Sequence, residues 1–372
     1  MGINSKIDCI QDKFELNRRA FLISIGEKRN VRRKKHLISR VTLSKEQKNL
    51  IDKFFTKHYG KKISHSWHRL YQSYTNTFCH DYFPEILFST KLEMVLNPNR
   101  KVAELIGDKN MIYTLFGNQH ISSFRLPKKF VSSVRGVLTD ENGNLVEKIN
   151  NLPKLNGEYV VKKTIDTSSG RDICICNFQD GLETQTGKSQ NEIFACYGND
   201  FVVQERIKQS DSLNKIYDKS LNTFRIMTYI LDGKIYHCPV ALRLGRNGAD
   251  RDNIHYGGLV IGVRDNGNLR NEAYSEFGEH FSEHPNTGVK FNDIVIKDVG
   301  KILDVAKQLH KIVPWLGIIS WDMALDENDN VVCIEMNTCG QSAWFPQMVN
   351  GYPLFGENTS RMLNLISKRK FI

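Results

Sequence analysis

No apolar run in this chain approaches the ~20 residues a membrane-crossing helix requires, so a spanning segment is not expected. Met1 to Lys6 lack the apolar core of a secretory signal, and Lys6 stands where a myristoylation pattern needs Ser or Thr. Secretion is therefore not expected, and a cytoplasmic location is. The eight cysteines are scattered. Cys174 and Cys176 are the one close pair, and no second pair or His-x-His completes a zinc set, which favours free thiols in a reducing compartment. There is no internal repeat and no low-complexity segment, which excludes a solenoid. Residues 1–95 contain no Gly-rich turn after a strand, so no nucleotide fold is expected there, and no Ser–His–Asp or Cys–His set argues for a side-chain nucleophile.

What is present begins with charge. At 372 residues, 40% hydrophobic and 25% charged, the chain has the composition of a globular protein of two or three lobes. Residues 1–110 hold 22 Lys and Arg against 11 Asp and Glu, whereas the remaining 262 residues hold 30 of each. The whole net charge of +11 thus belongs to the N-terminal part, densest at Lys28 to Lys35. Such a run is either a solvated face or an attraction for an acidic substrate or an anionic membrane surface. Nucleic acid is not an expected partner, and oligomeric state is not legible.

The most specific pattern is Gly317 to Asn337, two apolar runs around a polar turn. Period-two alternation sets Ile319, Trp321, Met323 and Leu325 on one face, with Ser320, Asp322 and Ala324 on the other. In the second run Val332, Ile334 and Met336 should oppose Cys333, Glu335 and Asn337. A four-residue turn, Glu327 to Asn330, would set Asp322 directly opposite Glu335, with Cβ atoms roughly 5 Å apart. Two carboxylates there would repel by about 3 kcal/mol at an effective dielectric near 20. A divalent cation would reverse the sign, and Asp322, Glu335 and Asn337 form an all-oxygen set suited to partly hydrated Mg2+ that also holds ATP phosphates.

Other candidates are weaker singly. Lys162 ends a strand that runs into the small polar loop Asp166 to Arg171, where Ser169, Gly170 and the lysine could meet phosphate. Gln204, Glu205 and Ile207 close an apolar strand and could offer groups to an adenine edge. Arg225 and Arg243 lie within apolar strands and need anionic partners. Arg251, Asp252 and Asn253 form a further polar cluster. Gly181 to Ser189 imitates a P-loop, but five residues separate its glycines and no clean strand precedes it. A mainly helical start, short strands after Arg125 and an amphipathic helix at Val299 to Ile312 indicate an α+β fold.

Together these residues resemble the ATP-grasp superfamily, specifically the sugar-transfer-associated ATP-grasp proteins, over about residues 81–360. The resemblance runs through Phe83-Pro-Glu-Ile-Leu87, Asp108-Lys-Asn110, Tyr159-Val-Val-Lys162, Val203-Gln-Glu205 and Leu221-Asn-Thr-Phe-Arg225. It continues through Leu242-Arg-Leu-Gly245, Asp252-Asn253, His284-Pro-Asn-Thr-Gly288, Trp321-Asp322, Glu335-x-Asn337 and Gly351 to Gly356. It departs at Lys163 and Arg171, where proline and glycine are usual. It implies two α+β subdomains gripping ATP, here 106–200 and 201–372, behind a basic helical region, 1–105. Lys109 and Lys162 would contact phosphates, Glu205 and its neighbours would form the adenine hinge, and Asn253 would join the nucleotide site. Arg225 and Arg243 would face the phosphates or the carboxylate being activated, and Asp322, Glu335 and Asn337 would hold Mg2+. The implied activity is an ATP-dependent carboxylate–amine ligase acting through an acyl phosphate. Its acid would be a small-molecule or lipid-linked sugar carboxylate of surface-polysaccharide assembly. A sugar or small-molecule kinase and a non-catalytic nucleotide- or polyanion-binding protein are the alternatives. The expected location is cytoplasmic, with the inner face of the membrane as the place the basic segment would favour.

Overall fold

The computed structural model describes residues 3–165, 173–297 and 299–368, with side chains from residue 14 onward. Ser169 and Gly170 lie outside the described residues. Among the described residues two sheets form. The larger has nine strands in the order Phe124–Arg125, Val331–Asn337, Ile318–Leu325, Thr223–Leu231, Val240–Leu244, Leu259–Val263, Leu269–Tyr274 and His280–Phe281. Lys234–His237 pairs beside Thr223–Leu231. The smaller has seven, ordered Leu145–Val146, Val137–Thr139, Lys129–Val134, Phe201–Glu205, Gly157–Lys163, Ile173–Gln179 and Leu182–Glu183. Phe201–Glu205 pairs on both sides within this smaller sheet, so a division at 200/201 cuts one sheet in two.

Alternation along the large sheet's strands explains the layering. Phe224, Ile226, Ile319, Trp321 and Met323 face a core closed by helix Val299–Ile312, whose Ile302, Val305, Ala306 and Leu309 follow the helical period. Inside it, Trp321 Nε1 donates to Thr228 Oγ1 at 2.8 Å, and Thr228 Oγ1 lies 2.7 Å from His310 Nδ1. Burial lowers the His310 pKa to about 4, which keeps the ring neutral to accept from Thr228 and to donate from Nε2 to Leu316 O.

The opposite face is only partly covered. Met227, Tyr229, Leu231 and Ile318 lie under a layer built from Ile51, Phe55, Phe83, Phe88 and the C-terminal Met362 and Leu363. The basic N-terminal region is thus part of this layer and not a separate unit. Further along the same face the cover stops, and the side chains become Arg225, Thr223, Ser320 and Asp322. Polarity changes along each strand at the point where helices cease to cover it. The seam between the N-terminal layer and the hairpin is tight: Asn97 Nδ2 donates to Ile318 O (2.8 Å) and Thr338 O (2.9 Å), and Gly317 N donates to Leu96 O at 3.0 Å.

A Cβ on Gly317 would meet Leu96 O at 2.5 Å, whereas one on Gly300 would meet nothing within 4 Å. Gly317→Ala should therefore lower stability by about 1–3 kcal/mol in urea unfolding, with Gly300→Ala neutral or mildly stabilising. Equal midpoints for the two variants would contradict this seam.

Candidate active site

A cleft of about 730 Å³ opens between the two sheets. Every expected site residue that is described lines it: Lys162, Gln204, Glu205 and Ile207 from the small sheet's side, Arg225, Arg243, Asn253, Asp322, Glu335 and Asn337 from the large sheet's, and Lys109.

The hairpin sets its geometry. Asp322 pairs with Glu335 and Ser320 with Asn337, as expected, but by a different route. Leu325 pairs with Val331, so the turn is five residues, Asp326 to Asn330. It is organised by Asp326, whose Oδ1 accepts from Asn328 N (3.0 Å) and Asn330 N (2.8 Å). That longer turn alone would bring Ile334 opposite Asp322. A bulge between the Met323–Cys333 and Asp322–Glu335 pairs restores the register, leaving Ile334 as the extra residue. The longer turn and the bulge together overturn three expected facings, and Val332 pairs with Ala324 instead of sharing the face of Met336. Cys333 packs in the core, where burial pushes its pKa up to about 12, and Ile334 lines the cleft.

Cations surround the carboxylate pair. Asp322, only 4% exposed, meets Arg225 Nε at 2.8 Å through Oδ1 and Arg243 Nη2 at 3.0 Å through Oδ2. Lys109 Nζ lies 3.1 Å from Glu335 Oε1. Like-charge repulsion, which by itself argued for a metal, is therefore answered in this structure by three protein cations. Arg225 and Arg243 are also committed to Asp322, not turned wholly to a ligand. Burial lowers the Arg225 pKa against the pull of Asp322. For Arg243, burial is outweighed by Asp252 and Asp322, which hold it protonated.

The donor set nevertheless fits a hard divalent cation. Among the described residues no group of three or more His, Cys, Asp or Glu is placed to hold a metal, but two carboxylates with an amide are not such a group. Asp322 Oδ1 is buried with no aligned hydrogen-bond donor, its contact with Arg225 Nε being an ion pair only, and the Asn337 side chain offers its amide oxygen alone to a cation, Nδ2 being a donor. A buried carboxylate oxygen with an unused lone pair beside an amide is chemistry that Mg2+ can use.

A family model described as sugar-transfer associated ATP-grasp matches residues 87–361. The chain belongs to that family. Solved structures that align with this ATP-grasp protein include an L-amino acid ligase from Bacillus licheniformis (12% identity, TM-score 0.39, 71% of this chain and 48% of that one). Others are purK, an N5-carboxyaminoimidazole ribonucleotide synthetase in its ADP complex (10%, 0.36, 68% and 54%), and PsnB, an ATP-grasp ligase with minimal precursor, Mg and ADP (12%, 0.39, 74% and 62%). The chain thus spans between 48% and 62% of those proteins' lengths, and none of their activities carries over at such identities. No protein of curated function matches significantly.

Within the ATP-grasp cleft several expected roles change. The Glu205 carboxylate is partly committed within the protein: its Oε1 accepts from Arg125 and from Lys128 N (2.6 Å). Gln204 Nε2 donates to Tyr113 Oη at 2.9 Å, leaving Gln204 Oε1 without a partner. Asn253 Oδ1 caps the turn Ile254–Tyr256 by accepting from His255 N at 2.8 Å. Lys34, expected in a solvated or partner-binding run, is 3% exposed, 2.8 Å from Glu276 and 4.6 Å above the Trp344 ring. The P-loop look-alike is a closed turn in which Glu183 accepts from Thr186 N and Oγ1, each at 2.7 Å.

Sequence reasoning missed Thr223 and Tyr113 and gave Asp252 no specific part. Thr223 N donates to Asp252 Oδ2 at 3.0 Å, and Arg243 Nε reaches Thr223 Oγ1 at 2.9 Å, so Asp252 fixes the arginine that holds Asp322. The signal was available: Asp252 follows the strand carrying Arg243, and a buried arginine needs more than one acceptor. Arg251 Nη2 donates across the cleft to Ile173 O at 3.0 Å.

Lys162 is 5% exposed, and burial lowers its pKa to about 8 against the opposing field of Glu335. A polyphosphate that meets Lys162 favours the protonated form, so affinity should fall as pH rises through that value. Calorimetric titration of ATP should show about tenfold weaker binding near pH 9.5 than near pH 7.5. Lys162→Met should bind weakly at both pH values, and an unaltered pH profile in that variant would remove Lys162 from the phosphate site.

Proposed function

We propose that the protein is an ATP-dependent carboxylate–amine ligase. The observation that carries this reading is the convergence of Lys109, Lys162, Arg225 and Arg243 with Asp322, Glu335 and Asn337 in one cleft between two sheets. Such a set can neutralise a triphosphate and orient an anionic acceptor, and it supplies no nucleophile of its own. The acid's carboxylate oxygen bonds to the γ-phosphorus as the bond to the β-phosphate oxygen breaks, releasing ADP. The amine nitrogen then bonds to the acyl carbon, phosphate leaves, and the nitrogen loses a proton.

Lys109 and Lys162 would offset phosphate charge, while Arg225 and Arg243 would face the phosphates or the carboxylate being activated. Ile207, Val160 and Ile175 provide apolar walls against which a purine could rest. Gln204 Oε1, without a partner, and the backbone beside Glu205 remain to meet its polar edge. Asp322, Glu335 and Asn337 would hold Mg2+, which when bound neutralises β- and γ-phosphate charge. The family's association with sugar transfer supports a sugar-derived acid or amine as one substrate, with surface polysaccharide as the corresponding product class.

Hydroxylamine trapping tests the reaction. With ATP, Mg2+ and a panel of uronic and amino acids, an acyl phosphate yields a hydroxamate, and ADP release should depend on the acid. A phosphorylated hydroxyl with no hydroxamate would instead make the protein a kinase. Glu335→Gln should lower turnover by about 10²-fold or more, since charge stabilisation of the transferring phosphoryl is lost, while circular dichroism is unchanged. Retention of half the parental rate would remove Glu335 from the metal set.

A further inference from the structure

The first helix, Ile3–Arg33, has two unlike faces among its described side chains. One row, Ala20, Ile23, Glu27 and Val31, is half-buried, with Ala20 beside Ile86 and Leu87, and Val31 against the cluster of Trp67 and Trp344. At about 100° per residue, the row roughly opposite is Phe14, Arg18, Phe21, Ile25, Lys28 and Arg32. A helix docked by one face normally turns a polar face to water. Here Phe14 is 68% exposed, Phe21 65%, Leu22 55% and Ile25 43%. The same surface carries Arg18, Lys28, Arg29 and Arg32, and between residues 14 and 33 there are six Lys or Arg against two Asp or Glu. One of those acids, Glu27, faces inward, where burial raises its pKa.

We propose that this outer face docks on an anionic lipid surface. Aromatic and aliphatic side chains interleaved with arginine and lysine match the boundary between headgroups and acyl chains, and each basic residue near such a surface adds to the attraction. A second copy of this chain is a poor occupant, because the whole excess of +11 lies within residues 1–110 and two such faces would repel. The helix is moored at its end: Lys34 meets Glu276 at 2.8 Å, and the other oxygen of Glu276 lies 2.8 Å from His255, which lines the cleft. The docking face is therefore joined through three side chains to the wall of the site. This inference stands independently of the ligase reading.

Co-sedimentation of the full chain with vesicles is the test. Binding is expected to phosphatidylcholine vesicles carrying about 30 mol% phosphatidylglycerol and not to phosphatidylcholine alone, and it should weaken severalfold between about 0.1 and about 0.5 M salt. The triple variant Phe14→Ser, Phe21→Ser, Ile25→Ser and the triple variant Lys28→Gln, Arg29→Gln, Arg32→Gln should each lose about tenfold or more in vesicle affinity. Both should keep the parental melting temperature and ATP affinity, because the altered side chains are exposed. Equal binding to neutral and anionic vesicles, or parental binding by either triple variant, overturns the proposal. So does a concentration-dependent dimer, seen by analytical ultracentrifugation without lipid, that the apolar triple variant abolishes.

Discussion

Asp322 and Glu335 sit side by side on adjacent strands, one almost fully buried, and their charge must be answered within hydrogen-bonding reach. Three cations do so: Arg225 and Arg243 at Asp322, Lys109 at Glu335. Each of those needs support in turn, and Asp252 and Thr223 provide it for Arg243. The result is an alternation of charge across neighbouring strands of one sheet, stable while the cleft stays shielded and poised to reorganise when a more highly charged ligand arrives. Lys162 adds a cation whose charge is already weakened by burial.

The charged cluster can exist because the sheet face is covered unevenly. The N-terminal helices and the last helix, Thr359–Lys368, close the face over Met227, Tyr229 and Ile318. Two residues further along, the same face holds Arg225 and Ser320 without that cover. The seam at Asn97 and Gly317 sets where one regime gives way to the other.

Much of this was readable from residue order. Alternation found the two runs of the hairpin and the facing of Trp321, and helical spacing found Val299–Ile312 to the residue. Asp322 was rightly paired with Glu335, yet the turn is one residue longer than expected and the bulge at Ile334 compensates. Nothing in local polarity signals a bulge, since Val331 to Ile334 is an unbroken apolar run that fits either facing. Pro239 is a readable cue: it lies between two strands, Lys234–His237 and Val240–Leu244, where a residue without a backbone N–H can be tolerated. The fate of Lys34 was also hidden, because its partners Glu276 and Trp344 lie more than 240 residues away in sequence. The cations around Asp322 could be named as residues needing anions, but not which anions they would find.

Arg125 receives both Glu205, at the end of a small-sheet strand, and Asp326, at the turn of the hairpin. Both stretches of chain that pass between the sheets, 126–128 and 206–208, run beside this arginine, and Glu205 N and Lys128 O close the gap at 2.9 Å. Two crossings pinned side by side behave as a pivot. Any swing of the small sheet displaces atoms in proportion to their distance from that pin. Tyr159 pairs with Glu205 itself, whereas Lys162 pairs with Val202, about 10 Å further along the strand. The lever arm thus grows from the apolar end of the cleft toward its charged end, where Lys109 N on Thr164 O (3.3 Å) and Arg251 Nη2 on Ile173 O (3.0 Å) tie the small sheet back, so a rotation that moves Lys162 relative to Glu335 has to break those two hydrogen bonds.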